Sequence, residues 1–399
     1  MKRFALFLAC LGMAAGTSAQ VLPSEPVTIG DGRVVIGGDV AVSIAPEDPG
    51  FFNYSDYEHS TLREFRLGVT ASVRATDRIS FLGEVRSENF GHVSPLALYA
   101  RVRPFPNRRL DVQIGRIPPT FGAFTRRAYG RDNPLIGYPL AYQYLTSLRP
   151  DAVPATADEL LRMRARGWLT NFSIGNQAAD RGLPLVTAFR WDTGVQVTTA
   201  WRAVGLTASI TNGSASNPRV ADDNSGKQVA MRGTVTPVTG LVLGSSWTRG
   251  QFLSRSVMNA VAAGAPEDFV QRAYGLDVEY SRDRWLVRGD AVHSQWQLPL
   301  PSEPLAHGRL QALAVSVEGR YTILPGIYAA ARAEHLAFSR IAGTNRVVAW
   351  DAPVSRGEIG GGYYLQRNVV ARVSWQHNAR DAGRVTRDSL VAAQLLFWF

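Results

Sequence analysis

From Glu64 to Arg74, within LREFRLGVTASVRAT (Leu62–Thr76), polar and apolar residues change places at every step. Phe65, Leu67, Val69, Ala71 and Val73 hold the odd positions; Glu64, Arg66, Gly68, Thr70, Ser72 and Arg74 hold the even ones. A period of two belongs to a strand with unlike faces, and it excludes a helix, whose apolar residues recur every three or four. The pattern repeats in ISFLGEVRSE, where Ile79, Phe81 and Val85 oppose Ser80, Glu84, Arg86 and Glu88. LALYARVR sets Leu96, Leu98, Ala100 and Val102 against Tyr99, Arg101 and Arg103, and LDVQI sets Leu110, Val112 and Ile114 against Asp111 and Gln113. Charges confined to one parity require that face to be wet. Periodicity alone leaves open whether the water lies outside a sandwich or inside a closed wall.

The spacing of the strands decides between them. Further strands are expected to begin near Val34, Thr193, Val204, Gln228, Leu241, Ala273, Trp285, Leu310, Ile327, Gly357, Val369 and Ser389. With the four above they make roughly sixteen, an even number as in bacterial transmembrane barrels. Short connections near Ala75–Arg78, Pro104–Arg109, Ala203, Pro237–Gly240, Arg282–Arg284, Leu324–Gly326 and Gln366–Asn368 alternate with long ones. The long ones lie near Ala45–Thr61, Asn212–Lys227, Gln251–Gln271, Leu298–Arg309, Ser339–Ser355 and Asn378–Arg387; only Gly91–Pro95 is short on the long side. A mean hydropathy of −0.08 excludes a helical membrane protein but suits a wall whose alternate residues face lipid. The expected fold is an all-β, transmembrane antiparallel β-barrel of roughly 16 strands with a long third outer loop and both termini in the periplasm.

Both chain ends agree. MKRFALFLACLGMAAGTSAQ has a basic start at Lys2 and Arg3, an apolar run Phe4–Gly16 and a small-residue site Thr17-Ser18-Ala19, which is the layout of a secretory signal. The run is too short for a spanning helix, which needs about 20 residues. Residues 1–19 therefore read as a signal peptide and 20–399 as one barrel domain in the outer membrane of a Gram-negative-type bacterium. Cleavage removes Cys10, the only cysteine, and with it any disulfide or thiol chemistry. At the other end, Val391, Ala393, Leu395, Phe397 and Phe399 alternate with Ala392, Gln394, Leu396 and Trp398. Gln394 suits a wet lumen; Leu390, Leu396 and Trp398 do not. A terminal Phe behind alternating apolar residues resembles the carboxy-terminal recognition signal of outer-membrane proteins, and implies handling by the barrel-assembly machinery.

Residues 117–192 form the longest connection, and its aromatics Phe121, Phe124, Tyr129, Tyr138, Tyr142, Tyr144 and Trp168 speak for an ordered segment. Ala157–Arg166 reads as a short helix after Thr156. A long third outer loop resembles that of the general porins, whose third loop folds into the barrel and narrows it; the same resemblance implies homotrimers. GRIPPTFG (Gly115–Gly122) is loosely similar to the Gly-x-x-x-Pro-Phe-Gly stretch of the phosphate-selective porins O and P, with Thr120 intervening between Pro119 and Phe121.

These readings point to a channel for passive diffusion of small hydrophilic solutes. The expected pore-lining residues are Arg66, Arg86, Arg101, Arg103, Arg232, Arg288, Arg320, Arg332 and Arg372 with Glu84, Asp111 and Glu318. Arg116, Arg126, Arg127, Arg131 and Asp132 are expected in the constriction loop. An arginine-rich narrowing concentrates anions through focused fields, whereas arginine–carboxylate ladders also arise merely to satisfy cross-strand charge. Only Lys227 remains as lysine beyond the signal, although phosphate-selective porins line their path with lysines too, so the expectation stops at a mild anion preference. No cofactor is expected: His59, His92, His293, His307, His335 and His377 lack metal spacing, and the acidic turn Ala221–Lys227 reads as a turn before it reads as a calcium loop. The formal charge of +10 is interleaved with acids along the strands, so nucleic acid is not an expected partner. Two rivals remain. A membrane enzyme requires a Ser/His or Asp/His group at the rim, of which the linear sequence gives no sign; a structural or adhesive barrel requires a filled lumen.

Overall fold

A computed structural model describes residues 25–54, 60–106, 109–127, 129–222, 226–261, 269–300 and 309–399. The expected signal peptide, His59 and His307 lie outside the described residues, as does part of the Ala221–Lys227 turn. Sixteen strands close into one antiparallel barrel. They are β1 (Val34–Ile44), β2 (Phe65–Arg74), β3 (Ile79–Glu88), β4 (Ser94–Val102), β5 (Leu110–Ile117), β6 (Asp192–Trp201), β7 (Val204–Thr211) and β8 (Gln228–Val238). Then come β9 (Leu241–Gln251), β10 (Val270–Arg282), β11 (Trp285–Trp296), β12 (Leu310–Leu324), β13 (Ile327–Phe338), β14 (Val354–Gln366), β15 (Val369–Arg380) and β16 (Arg387–Trp398). Each strand pairs with its neighbours in sequence, and β1 pairs with both β2 and β16, which leaves no open edge in the wall. Phe399 follows β16 and exchanges backbone hydrogen bonds of 3.0 Å with Gly38 in both directions.

The parity pattern maps onto the two faces of this wall. Val69, Phe81, Val315, Leu395 and their partners stand exposed on the outside, whereas Arg66, Glu84, Arg86, Asp111, Arg232, Glu318, Arg332 and Arg372 are buried within. An exterior so rich in bare Val, Leu, Ile and aromatic side chains is what a barrel presents to acyl chains, not to water. Aromatics such as Trp201, Trp285 and Tyr363 stand exposed near the short-turn ends of their strands.

One lipid-facing expectation fails for a local reason. The β3–β4 register shifts between Glu84 and Val85, which oppose Ala97 and Pro95 respectively, so Leu96 is the extra residue of a bulge. Leu96 is thereby turned inward, where it packs with Ala97, Trp191 and Tyr99. Elsewhere the strands run longer than the sequence suggested: β14 starts at Val354 instead of Gly357, which brings Arg356 and Glu358 onto the inner wall.

Placing a guanidinium on the outer face tests this assignment directly. Val69→Arg should impair folding into phospholipid vesicles, at a cost of about 2–4 kcal/mol near the bilayer midplane. Urea titration of the inserted barrel measures it, and wild-type stability in the variant would reverse the assignment of faces.

Candidate functional site: the lumen and the connection that crosses it

Residues 118–191 join β5 to β6. The chain leaves β5 through Pro118 and Pro119 and then turns at Gly122, whose φ is +77°. A side chain there would meet the Tyr142 hydroxyl at 2.5 Å, so both the backbone conformation and the crowding call for glycine. The Gly122 N–H donates to Ser246 Oγ on β9 at 3.1 Å, and Thr120 Oγ1 donates to Ser209 Oγ on β7 at 2.8 Å. From here the segment touches wall strands on every side. Tyr129 reaches β3, Gly130 reaches β15, Asp132 reaches β11, Pro134 reaches β13 and Gly137 reaches β14.

What holds it is ionic. Arg332 is buried among three carboxylates, with contacts of 2.7 Å to Glu358, 3.1 Å to Glu334 and 3.2 Å to Glu318. Its guanidinium also donates to the Gly137 carbonyl at 2.8 Å. Two of the same carboxylates then accept from the segment: Glu358 from Gly137 N–H at 3.0 Å, Glu334 from Leu140 N–H at 2.8 Å. A Cβ at Gly137 would stand 2.5 Å from Glu358 Oε2 and 2.7 Å from Gln376 Nε2, so a larger residue would have to displace those side chains. Arg372 donates to the Gly130 carbonyl at 2.7 Å, and Arg356 donates to the carbonyls of Tyr138 (3.1 Å) and Phe52 (2.7 Å). The wall's charges thus stand in for the hydrogen bonds that an irregular backbone would otherwise lack inside a barrel.

The remaining inward arginines are also partnered. Arg66 donates to the Tyr138 hydroxyl at 2.6 Å and lies 3.6 Å from both Asp39 and Glu64. Arg86 pairs with Glu84 at 2.9 Å, and Glu84 accepts from the Tyr129 hydroxyl at 2.6 Å. Burial, followed by the charge of Glu84, pushes the Tyr129 phenol well above its usual range, which keeps it a donor. Arg232 makes a two-point contact with Asp277, and Arg288 bridges Glu279 at 2.8 Å and Glu318 at 3.2 Å. Arg101 and Arg103 share Asp111, and Arg320 lies over the Tyr328 ring at 5.7 Å.

Of the residues expected in the constriction loop, Arg127 lies 3.9 Å from Glu318 and faces the Phe124 ring, and Arg131 is half exposed beside Asp132. Burial raises the Asp132 carboxyl above its ordinary value, against the pull of Arg131. The Arg126 side chain lies outside the described atoms. Arg116 needs correction. It belongs to β5, opposite Leu98 and Thr193, on the parity of the outward-facing Ile114, and its guanidinium donates to the Trp191 carbonyl at 3.1 Å. The expected strand ended at Ile114, whereas the ladder continues to Ile117 and carries Arg116 to the outside.

Beyond the ionic clamp, Phe121, Phe124, Tyr138, Leu140, Tyr142 and Leu148 join one apolar cluster with Ala273, Val292, Trp296, Leu310, Ala312, Leu336 and Phe338 of β10–β13. Leu135 and Ile136 pack on Leu396 and Leu390 respectively, which explains the apolar inward residues of the last strand. Farther along, Thr156 caps the helix Ala157–Arg162 by accepting from Glu159 N–H at 3.2 Å. The segment is then tied to the β13–β14 connection by Asp351, which accepts from the N–H groups of Ser147 and Ala165 at 2.7 Å each. Ala165 sits at φ +61°, a strained setting for a residue with a Cβ, fixed here by that bond. Burial raises the Asp351 carboxyl above its ordinary value despite those donors.

Three cavities follow one another down β1 and β2. The first, about 360 Å³, is lined by Ser43, Asp48, Ser60, Arg63 and Glu64 among others. The second, about 150 Å³, is lined by Asp39, Thr70, Tyr129, Gly130 and Arg131, and the third, about 290 Å³, by Arg33, Val35, Ser72, Arg74, Arg101 and Arg103. Arg66 is 2% exposed and touches the lining of the first two through Glu64 and Asp39.

Known structures repeat this architecture. The in-vitro folded OmpT of Vibrio cholerae, in its trimer form, superposes with a TM-score of 0.53 at 12% identity, covering 92% of this chain and 99% of that one. The outer membrane channel DcaP of Acinetobacter baumannii gives 0.53 at 11% identity, over 94% and 100%. Salmonella typhi OmpF, solved as a complex with daunomycin, gives 0.54 at 11% identity, over 92% and 97%. The fold is that of outer-membrane β-barrels. No protein-family model matches the chain, and no curated protein matches it in sequence, so the likeness to phosphate-selective porins rests on Gly115–Gly122 alone.

At the rim the strands bring together two pairs that the linear sequence concealed. His335 Nδ1 lies 2.9 Å from Ser355 Oγ, and His377 Nδ1 lies 2.8 Å from Ser389 Oγ. Neither imidazole has a carboxylate or amide on its other nitrogen among the described residues.

The clamp gives a quantitative expectation. Arg332→Met leaves Glu318, Glu334 and Glu358 without their shared cation, and should destabilise the folded barrel by about 3–5 kcal/mol. Denaturant unfolding in detergent measures the loss, and limited proteolysis should show residues 130–140 newly open to cleavage.

Proposed function

We propose that the chain is an outer-membrane channel through which small hydrophilic solutes diffuse passively, with a mild preference for anions. The observation that carries this reading is the column of three cavities along β1 and β2, interrupted at Arg66. The opposite half of the lumen is occupied by the apolar cluster on β10–β13, so the solute path runs eccentrically, past Arg66, Tyr129 and Arg131. Residues 117–192 act as the inward-folded element that narrows it. The lining arginines focus a positive field in a low-dielectric wall, and Arg33, Arg74 and Arg78 at the inner mouth have no ion pair among the described residues. The phosphate-type specificity implied by the Gly115–Gly122 resemblance is not part of the proposal.

Location and assembly follow the same reading. The apolar exterior and the neighbouring structures support an outer-membrane position, reached through the signal peptide at 1–19 and the barrel-assembly machinery. A homotrimer is supported by the trimer form of the Vibrio cholerae neighbour.

One observation favours a second reading, a structural barrel sealed by its own connection: the wall-to-wall span of residues 118–140. Planar-bilayer recording separates the two. Channel function predicts discrete current steps, a reversal potential displaced toward anions in a salt gradient, and a larger conductance with weaker anion preference in Arg66→Ser. Folded protein that gives no current supports the sealed barrel.

The proposal includes no enzymatic role; the two Ser–His pairs, which have no third group to orient the imidazole among the described residues, give the rival hydrolase reading a direct test. A fluorophosphonate probe should leave Ser355 and Ser389 unlabelled in the folded protein; stoichiometric labelling of either serine would restore the hydrolase reading.

A further inference from the structure

We propose that Arg249 and Arg272 form an outward-facing site for the phosphate of an outer-leaflet lipid headgroup. The two residues are directly opposite each other in the β9–β10 register. Their parity is that of Trp247 and Tyr274, below which the exposed Leu243 and Leu276 continue the apolar face. Like charges directly opposed across strands are destabilising, and neither guanidinium has an ion pair or side-chain hydrogen bond among the described residues. Such a pair on a largely apolar face calls for an anion, and the described residues supply none.

Position identifies the anion's carrier. Both arginines lie at the ends of their strands next to the long β9–β10 connection, so they stand on the outer side of the barrel. Just beneath them Trp247 and Tyr274 occupy the place of an interfacial aromatic girdle, where headgroups begin. Directly opposed residues have Cβ atoms about 4.5–5.5 Å apart, close enough for two guanidinium forks to grip one phosphate with charge-assisted hydrogen bonds. Gln295 opposes Arg272, and Gln311 opposes Gln295, extending the row with neutral donors and acceptors suited to headgroup hydroxyls. A soluble phosphate would gain the same forks but nothing from the rings below; a lipid gains both.

The test uses the mature chain folded in neutral detergent, with bis-phosphorylated lipid A, the same glycolipid stripped of phosphate, and inorganic pyrophosphate as separate probes. Native mass spectrometry and the thermal midpoint report binding. Lipid A should bind at least tenfold more tightly than the stripped lipid, and R249Q/R272Q should reduce that preference to within about twofold. Without lipid, the double variant should melt no lower than wild type, because it loses a repulsion. If the double variant fails to fold, R272Q alone is measured, and it should lose most of the preference. Equal binding of the stripped lipid, an undiminished preference in the variants, or pyrophosphate binding as tightly as lipid A would overturn the proposal. The outcome does not depend on conduction, so a sealed barrel could pass this test and an open channel could fail it.

Discussion

A guanidinium inside a closed wall has to be surrounded by acceptors, and Arg332 meets that requirement by drawing three carboxylates and one backbone carbonyl around itself. The rest of the interior depends on this arrangement. Irregular backbone within a barrel has no ladder to satisfy it, and water is scarce where apolar side chains crowd in. Glu334 and Glu358 face Arg332 with one oxygen and the N–H groups of Leu140 and Gly137 with the other, so the same carboxylates hold the guanidinium and anchor the crossing segment. Buried ion pairs seldom stabilise a fold relative to apolar packing, but they do fix geometry, since any displacement exposes an uncompensated charge. For residues 130–140 that makes position, more than stability, the product of the clamp.

The anchoring segment also accounts for the places where the parity pattern breaks. Leu390 and Leu396 face inward although the lumen elsewhere is polar, and the structure supplies their partners in Ile136 and Leu135. Ala273, Val292, Leu310 and Leu336 do the same for the aromatic cluster opposite. Inward apolar residues in a barrel strand therefore mark where an inserted segment docks, and their distribution over β10–β13 and β16 traces its route. The lumen that results is lopsided: an apolar half that is packed and a polar half, along β1–β5, that carries the cavities.

The strand plan was legible because alternation is a local property, set by the pleat and independent of what fills the barrel. Arg66, Glu84, Arg86, Arg232 and Arg332 could be assigned to the interior from their own strands. What was not legible depended on events outside the strand concerned. Leu96 turns inward because of a bulge against Glu84 and Val85, which leaves no mark in a stretch of alternating residues. Arg356 was missed because the strand starts earlier than its glycine-rich middle suggests, and Arg116 was misplaced because a ladder continues into a proline-bearing turn. The two Ser–His contacts join residues on neighbouring strands, a relation that only register reveals.

Register likewise distinguishes the two kinds of arginine in this protein. Inside, each guanidinium of the clamp opposes or adjoins a carboxylate or a carbonyl. Outside, Arg249 faces Arg272 across a ladder that otherwise carries mostly apolar residues at that face, with Ser245 opposite Leu276. Charge that is compensated from within serves architecture; charge left facing its like has to be compensated from without. By that criterion Arg332, Arg356 and Arg372, which hold the backbone of residues 130–140, are chiefly structural. In the proposed channel, contact with solutes then falls to the arginines at the cavities, Arg66 and Arg131 at the crossing segment and Arg33, Arg74 and Arg78 at the inner mouth.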